Sequence, residues 1–163
     1  MNSIKKIFTE NVKTIDGHFS IIGKHNINDV LFLSSNLKNP YHKLILATNK
    51  PSQDSKNVDN VIIVDNYYDA IPLINNSVVS TLSFVYINEP SLTTTEMSYL
   101  IDSVFRLLVS GGIIVIENKD VTPQDYLNHI TNSSMAGVEW FIRRNLTKIQ
   151  VLNFLNKIII LKL

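Results

Sequence analysis

Hydrophobic residues along this chain fall into short continuous runs, each with the length of a β-strand. Four of these runs precede residue 90, at residues 29–34, 43–48, 61–64 and 81–87. A continuous apolar run is typical of a strand that is buried on both faces, as in a parallel sheet. The pattern therefore predicts four parallel strands, with residues 29–34 as strand one.

A helical spacing follows the fourth run. Its apolar residues lie three or four positions apart on one face: Met97, Leu100, Ile101, Val104, Leu107 and Leu108. Thr93 and Glu96 have the spacing of a capping box at its start, and Gly111 and Gly112 are expected to terminate it. A fifth apolar run, residues 113–117, leaves directly from the glycines and predicts the next strand.

Weaker patterns predict the remaining elements. They are an amphipathic helix over 4–15, a helix opening at Thr122-Pro123, a strand at 138–142, and an antiparallel hairpin of 146–154 with 157–163. Five buried strands with helices between them and an antiparallel ending predict an α/β fold, a Rossmann-like three-layer sandwich with a mostly parallel sheet. We expect a single domain over 1–163, with a helix and lead-in over 1–28 and a core over 29–163.

Composition and charge exclude several classes of function. The chain has 163 residues with 15 basic and 14 acidic side chains, and it has no cysteine, which excludes disulfides, thiolate metal sites and cysteine nucleophiles. The four histidines lack metal-site spacing, so we expect no metal. The net charge of +1 gives no argument for nucleic acid or an anionic membrane as the main partner. No run is long enough to span a bilayer and no secretory signal is evident, so a cytoplasmic protein is expected.

One segment carries a family resemblance. Ile71-Pro72-Leu73 and Ser77 lead into the fourth predicted strand, and residues 107–112 feed the fifth through Gly111-Gly112. This arrangement resembles the class I S-adenosylmethionine-dependent methyltransferases of the small-molecule type, in which a similar segment precedes strand four and a helix ending in Gly-Gly precedes strand five. The resemblance implies the class I methyltransferase-like fold over about 29–163.

The predicted cofactor site departs from the family's pattern. The family binds its cofactor on a glycine-rich turn after strand one, whereas predicted strand one runs into residues 34–40, which contain no glycine. The family's acidic ribose-binding residue falls near Asn49. Only nine residues, 34–42, separate predicted strands one and two, too few for a crossover helix. These departures predict a degenerate cofactor site, no bound cofactor, and a non-catalytic domain that acts through a protein partner or as a homodimer.

An active S-adenosylmethionine-dependent methyltransferase with a small-molecule substrate is the alternative. The resemblance then implies that the cofactor-binding residues are Ser34, Ser35, Asn49, Asp65 and Asp69. Glu89, directly after the fourth predicted strand, would be the catalytic residue, because a carboxylate there could accept a proton or orient an amine. The competing interpretation is that these residues form ordinary solvated turns.

A third hypothesis concerns the one cluster of basic and aromatic residues. Trp140, Arg143 and Arg144 could stack on a base and contact phosphates, as in a nucleic-acid-binding subunit. The same residues also fit an edge strand with inward aromatic and outward arginine side chains. Nucleic acid is therefore the least favoured of the three kinds of partner.

Overall fold

A computed structural model describes residues 3–12, 17–37, 42–69, 82–117 and 134–163. The helices are α1 (Ser3–Asn11), α2 (Ile27–Ser35), α3 (Gln53–Lys56), α4 (Thr94–Leu107) and α5 (Ser134–Arg144). The strands are β1 (His18–Gly23), β2 (Leu44–Ala47), β3 (Val61–Val64), β4 (Leu82–Asn88), β5 (Leu108–Glu117), β6 (Ile149–Phe154) and β7 (Lys157–Lys162). The helix predicted at Thr122-Pro123 and the segment Ile71-Pro72-Leu73 with Ser77 lie outside the described residues.

The described strands form one seven-stranded sheet in the order β3-β2-β1-β4-β5-β7-β6. Strands β1 to β5 pair with one another in parallel, and β7 pairs antiparallel with both β5 and β6. Helices α1 and α2 pack on one face of the sheet, and α4 and α5 pack on the other. The structure thus confirms a Rossmann-like three-layer sandwich with a mostly parallel sheet and an antiparallel end.

The prediction that residues 29–34 form strand one is wrong, because these residues lie in helix α2. Val30 and Leu33 are fully buried three residues apart, whereas Leu31 between them is 47% exposed. This is helical spacing, and a strand buried on both faces would bury all three. The Asn26 side chain caps the helix by accepting a hydrogen bond from the Asp29 amide at 3.0 Å.

The first strand of the sheet is β1, which lies within the segment expected to be a lead-in. All six of its residues are buried, including the polar His18 and Ser20. The Ser20 hydroxyl donates to the Ile45 carbonyl at 3.0 Å, and the Lys43 amide donates to Nδ1 of His18 at 2.9 Å. Because these polar groups are satisfied beside the next strand, β1 can occupy the centre of the sheet despite its composition.

The expected lack of a crossover helix between the first two strands is also wrong. The connection from β1 to β2 covers residues 24–43 and contains α2, and the connection from β2 to β3 contains the short helix α3. Residues 34 and 35 are the last residues of α2, so the nine residues 34–42 do not separate two strands. The sheet therefore has a helix in each of the connections from β1 to β2 and from β2 to β3.

The second half of the chain follows the prediction with two differences. Helix α4, strand β5 and the β6–β7 hairpin are confirmed. Helix α4 ends at Leu107, however, and Gly111 and Gly112 lie inside β5, next to an irregularity in its pairing with β4. The predicted strand at 138–142 is wrong, because these residues belong to α5 and Phe141 packs in the core against Phe105 with ring centroids 5.2 Å apart.

No helix in the described part of the chain is both long and apolar enough to cross a membrane.

Candidate functional site

A cleft of about 910 Å³ opens at the carboxyl edge of the sheet, above the adjacent strands β1 and β4. The chain runs from β1 outward through β2 and β3 and then returns to β4 on the other side of β1, so the strand order reverses here. In open α/β sheets, ligands bind at this kind of switch point. The volume lies within the range of small-molecule sites. The lining consists mainly of the turns that follow β1, β2, β3 and β4.

The turn after β1 contains a glycine, contrary to the prediction of a turn without one. Gly23 ends the strand with a φ of +91°, in the region that favours glycine. A Cβ atom at this position would also overlap the backbone carbonyl of Asn88 at the end of β4. The Lys24 amide donates to that same carbonyl at 2.8 Å. Gly23 therefore holds the β1 turn against β4 at the floor of the cleft.

The turn after β2 supplies small polar groups. The Thr48 amide donates to the Val64 carbonyl at 2.9 Å, which ties the turn to β3. The Lys50 amide donates to the Thr48 hydroxyl oxygen at 3.2 Å. Asn49 is exposed between them and lines the cleft, where its amide offers both donors and an acceptor.

The turn after β3 contributes Asp65, Asn66 and Tyr67 to the lining. The carboxylate of Asp65 is exposed to the cleft, whereas the hydroxyl of Tyr67 donates to Glu96 Oε2 at 3.1 Å. Burial, with hydrogen bonding to Tyr68 and Glu96, raises the pKa of Tyr67 above its usual range. Tyr67 is therefore a neutral phenol at physiological pH, and its ring forms a fixed part of the cleft wall.

Glu96 on α4 connects the β3 turn to the other side of the cleft. The Thr93 amide donates to Glu96 Oε1 at 3.1 Å, and the Glu96 amide donates to the Thr93 hydroxyl oxygen at 3.2 Å, which completes the predicted capping box. The Thr93 backbone, then the Thr93 side chain and the Tyr67 hydroxyl, lower the pKa of Glu96. Glu96 is consequently a carboxylate with both oxygens engaged, and it orients Tyr67.

The turn after β4 adds a third carboxylate to the cleft lining, after Asp65 and Glu96. Glu89 is half-buried, and its Oε1 accepts hydrogen bonds from the Ser91 hydroxyl at 2.5 Å and from the Ser91 amide at 3.4 Å. Pro90 and Leu92 line the cleft beside it. The carboxylate is thus oriented by its own turn and accessible to a ligand.

The structure brings together three of the six predicted site residues, Asn49, Asp65 and Glu89. Asp69 is exposed beyond the β3 turn and outside the cleft lining. The lining also contains residues that the sequence reasoning missed: Gly23, Lys24, His25, Thr48, Tyr67 and Glu96. The apolar pair Ile21-Ile22 followed by glycine was the signal that could have found the first of them.

Ser34 and Ser35 are not at the cleft, because they end helix α2 and do not follow a strand. The Ser34 hydroxyl donates to the Asp59 carbonyl at 2.8 Å, and the Ser35 hydroxyl donates to the Phe32 carbonyl at 2.8 Å. Both hydroxyls therefore have backbone partners away from the lining residues. Their proposed contact with a cofactor depended on the wrong assignment of strand one.

The basic and aromatic cluster lies on α5, away from the cleft, and not on an edge strand. Trp140 is half exposed, and Arg143 pairs with Glu139 at 2.6 Å. Arg144 pairs with Asp102 at 3.1 Å and donates to the Ser98 hydroxyl oxygen at 2.7 Å, which joins α5 to α4. Among the described residues, no group of three or more histidine or acidic side chains could hold a metal ion.

The comparisons with known proteins agree with this geometry. No family model and no curated protein matches the chain. Among solved structures, the chain is similar to a putative rRNA methylase from Clostridium thermocellum, with 16% identity and a TM-score of 0.66, covering 100% of this chain and 97% of that one. It is also similar to an O-methyltransferase from Bacillus cereus in complex with SAH, with 13% identity and a TM-score of 0.64, covering 99% and 82%.

A third similar structure is the TDP-rhamnose 3′-O-methyltransferase CalS11 of calicheamicin biosynthesis, with 10% identity and a TM-score of 0.66, covering 97% of this chain and 76% of that one. Other matched methyltransferases are longer, and the chain spans about half of their length, at 48% and 47%. Identities this low concern the fold, and the topology and the switch-point cleft agree with them. The chain has the class I methyltransferase-like fold.

Proposed function

We propose that the cleft binds S-adenosylmethionine and that the chain is an S-adenosylmethionine-dependent methyltransferase. The observation that carries this proposal is the turn after β1, where Gly23 adopts a left-handed backbone conformation at the switch point of the sheet. This is the place where a nucleotide-binding α/β domain needs a close backbone turn. The Bacillus cereus structure, which contains SAH, supports the choice of ligand.

The residues of the cleft fit the chemistry of this ligand. The Asn49 amide can exchange hydrogen bonds with ribose hydroxyls, and the Asp65 carboxylate can accept one from an exocyclic amine. The ring of Tyr67 offers an aromatic wall whose hydroxyl is already engaged by Glu96. When bound, S-adenosylmethionine supplies a methyl group on a positively charged sulfur.

In methyl transfer, the chain itself would orient the two reactants and supply one proton acceptor. Because an electrophilic methyl group needs only a correctly placed nucleophile, holding the two reactants in contact accounts for most of the expected acceleration. Glu89, with its carboxylate oriented by Ser91, would orient the acceptor and take its proton. These roles make Glu89 the catalytic residue of the proposal and leave Asp65 and Asn49 to binding.

A non-catalytic domain that acts through protein association is the second candidate. Two observations favour it: Asn49 stands where the family has an acidic residue, and Gly23 is followed by Lys24, His25 and Asn26 without a second glycine. The working form would then be a homodimer or a subunit of a complex. The predicted lack of a crossover helix between the first two strands no longer supports this candidate, because α2 lies in that connection.

Calorimetric titration with S-adenosylhomocysteine distinguishes the two candidates. We expect micromolar binding by the native chain and a loss of about tenfold or more in Asp65→Asn, because a hydrogen bond to a charged group contributes about 1.5–3 kcal/mol. Asp69→Asn is the matched control, since Asp69 follows the same strand and lies outside the lining. Absence of binding at millimolar ligand would overturn the proposal in favour of the non-catalytic domain.

Substitution of Glu89 tests the catalytic role separately from binding. Glu89→Gln should leave S-adenosylhomocysteine affinity within about twofold and should lower transfer of a labelled methyl group by about 10²–10⁴-fold, the usual contribution of a positioned proton acceptor. Short RNA oligonucleotides and small hydroxyl compounds serve as acceptors in separate reactions. Transfer at an unchanged rate would show that Glu89 is an ordinary turn residue.

A further inference from the structure

The outer side of α4 carries a row of shallow hollows that begins at the cleft. Exposed and half-buried residues recur along it at helical spacing: Thr95, Tyr99, Asp102 and Arg106. Glu96 lines both the cleft and a hollow of about 530 Å³, and Tyr99 lines both that hollow and a further one of about 500 Å³. Each concave surface therefore shares a lining residue with the next, and we name the row beyond the cleft the α4 track. At 1.5 Å per residue, the helix extends for about 21 Å.

The half of the track next to the cleft is aromatic. The rings of Tyr67 and Tyr68 have centroids 4.2 Å apart, and those of Tyr68 and Tyr99 are 5.6 Å apart. Tyr68 is 37% exposed and Tyr99 is 52% exposed, whereas large aromatic side chains usually bury most of their surface. A planar ligand that leaves the cleft would therefore meet two successive exposed rings.

The far half of the track is cationic. Arg106, Lys148 and Lys162 line it together with Asn145, and the carboxylate of Asp102 is engaged by Arg144 from α5. Within the described residues, neither Arg106 nor Lys148 forms an ion pair. The net charge of +1 gave no argument for an anionic ligand, but the placement of these charges on one concave surface does.

Lys162 has a different role from the other two cations. Its Nζ donates to the carbonyls of Phe105 and Leu108 at 2.9 and 2.8 Å and lies over the Phe105 ring, and burial lowers its pKa. Lys162 is therefore held as part of the wall. Arg106 and Lys148, which are exposed, are the groups that can contact an incoming anion.

We propose that the α4 track binds a single-stranded nucleic acid, with bases stacked on Tyr68 and Tyr99 and phosphates contacted by Arg106 and Lys148. Aromatic platforms beside cationic groups on a groove are the chemistry that binds single strands without strong sequence preference. A protein partner is less favoured, because the track mixes exposed rings with cations along a single helix, whereas a stable protein interface would need a broad patch. This inference rests on the proposed function in one respect: the strand would be the methyl acceptor entering the cleft.

Fluorescence anisotropy with a labelled ten-nucleotide oligoadenylate RNA tests the track. Tyr99→Ala should weaken binding by about fivefold or more, the effect of losing one stacked base. The double variant Arg106→Gln/Lys148→Gln should reduce the slope of log affinity against log salt by about 1.4, since each lost phosphate contact on a single strand contributes about 0.7. Trp140→Ala and Arg143→Gln are the matched controls, because both are exposed side chains of similar chemistry on α5.

Three results would overturn the proposal. The first is an absence of anisotropy change at about 100 µM chain and low salt, where non-specific binding should already be visible. The second is that the control variants weaken RNA binding as much as the track variants do. The third is self-association of the chain that Tyr99→Ala abolishes while RNA binding persists. Thermal unfolding of each variant verifies that it is folded.

Titration of the same variants with S-adenosylhomocysteine separates this proposal from the proposed function. The track variants should retain native affinity for that ligand, because neither Tyr99, Arg106 nor Lys148 lines the cleft. Ligand binding without RNA binding would overturn the track alone. RNA binding without ligand binding would overturn the methyltransferase and leave the track as an RNA-binding surface.

Discussion

The two halves of the sheet, on either side of the boundary between β1 and β4, are built differently. On one side, β1, β2 and β3 have six, four and four residues, and no residue of β3 is fully buried. On the other side, β4 and β5 have seven and ten residues and pack against the fourteen-residue helix α4. Most of the cleft lining nevertheless comes from the turns of the first half.

This difference indicates that the second half of the sheet contributes most of the stability, whereas the first half contributes most of the candidate site. Polar turns that converge on a ligand offer little apolar surface for burial, so they need support from a packed neighbour. The second half supplies that support through the core between α4, α5 and the sheet. Substitutions in the second half should therefore act mainly on folding, and substitutions at the boundary should act on folding and binding together.

The largest effect is expected from breaking the core of the second half. Phe141 is fully buried and packs edge-to-face on Phe105, so Phe141→Ala should lower the free energy of unfolding by about 3–5 kcal/mol. Urea unfolding followed by circular dichroism measures this loss. Trp140→Ala, at the exposed neighbouring position, should change stability by no more than about 0.5 kcal/mol. Equal losses in the two variants would contradict the assignment of the core.

The next effect concerns the boundary itself. Gly23→Ala should lower the free energy of unfolding by about 1–3 kcal/mol through backbone strain, and overlap of the new Cβ atom with the Asn88 carbonyl should lower it further. The substitution should also weaken S-adenosylhomocysteine binding. Gly111→Ala is the control, because Gly111 has a similar φ of +83° but open space around it. A control that is destabilised as much as Gly23→Ala would mean that strain alone, and not the approach of β1 to β4, determines the loss.

A smaller effect is expected where the second half positions the first. Thr93→Ala removes the side-chain cap of α4 and should lower the free energy of unfolding by about 1 kcal/mol. It should also weaken binding in the cleft, because Glu96 orients Tyr67. Thr95→Ala, at an exposed position two residues further along the chain, tests whether the loss of stability is specific to the cap. Loss of stability with unchanged ligand affinity would contradict the link from Glu96 to Tyr67.

The smallest expected effect is a pH dependence of the stability that the Glu96 carboxylate contributes. The pKa of Glu96 is lowered in the folded chain, so its contribution to stability is complete above the pKa of the unfolded state and is lost as pH falls through the folded value. The stability difference between the native chain and Glu96→Gln should therefore narrow as pH falls below about 4. Urea unfolding between about pH 3 and pH 7 measures it, and a constant difference would contradict the role of the charge.

Local signals predicted the elements whose pattern is complete within a few residues. The capping box of Thr93 and Glu96, together with the apolar stripe behind it, identified α4, and the apolar run after the glycines identified β5. Two adjacent strand-like stretches near the end of the sequence identified the hairpin of β6 and β7. Each of these signals depends on contacts within a few residues, which is why a single sequence is enough to find them.

The site was predictable only in part. Asn49, Asp65 and Glu89 follow strands that the apolar runs identified correctly, and all three line the cleft. Ser34 and Ser35 followed a run that turned out to be helical. An apolar run of strand length is compatible with a buried helix turn, and only burial on one face decided the matter.

The sequence by itself determined the α/β class, the central helix and strand, and the antiparallel end, because periodicity and capping are local properties. Only the tertiary structure decided that His18–Gly23 is an interior strand of the sheet, since its polar side chains are satisfied by Lys43 and Ile45, each 25 residues away from its partner. The cleft was decided in the same way, because it joins turns that only the order of the strands brings together.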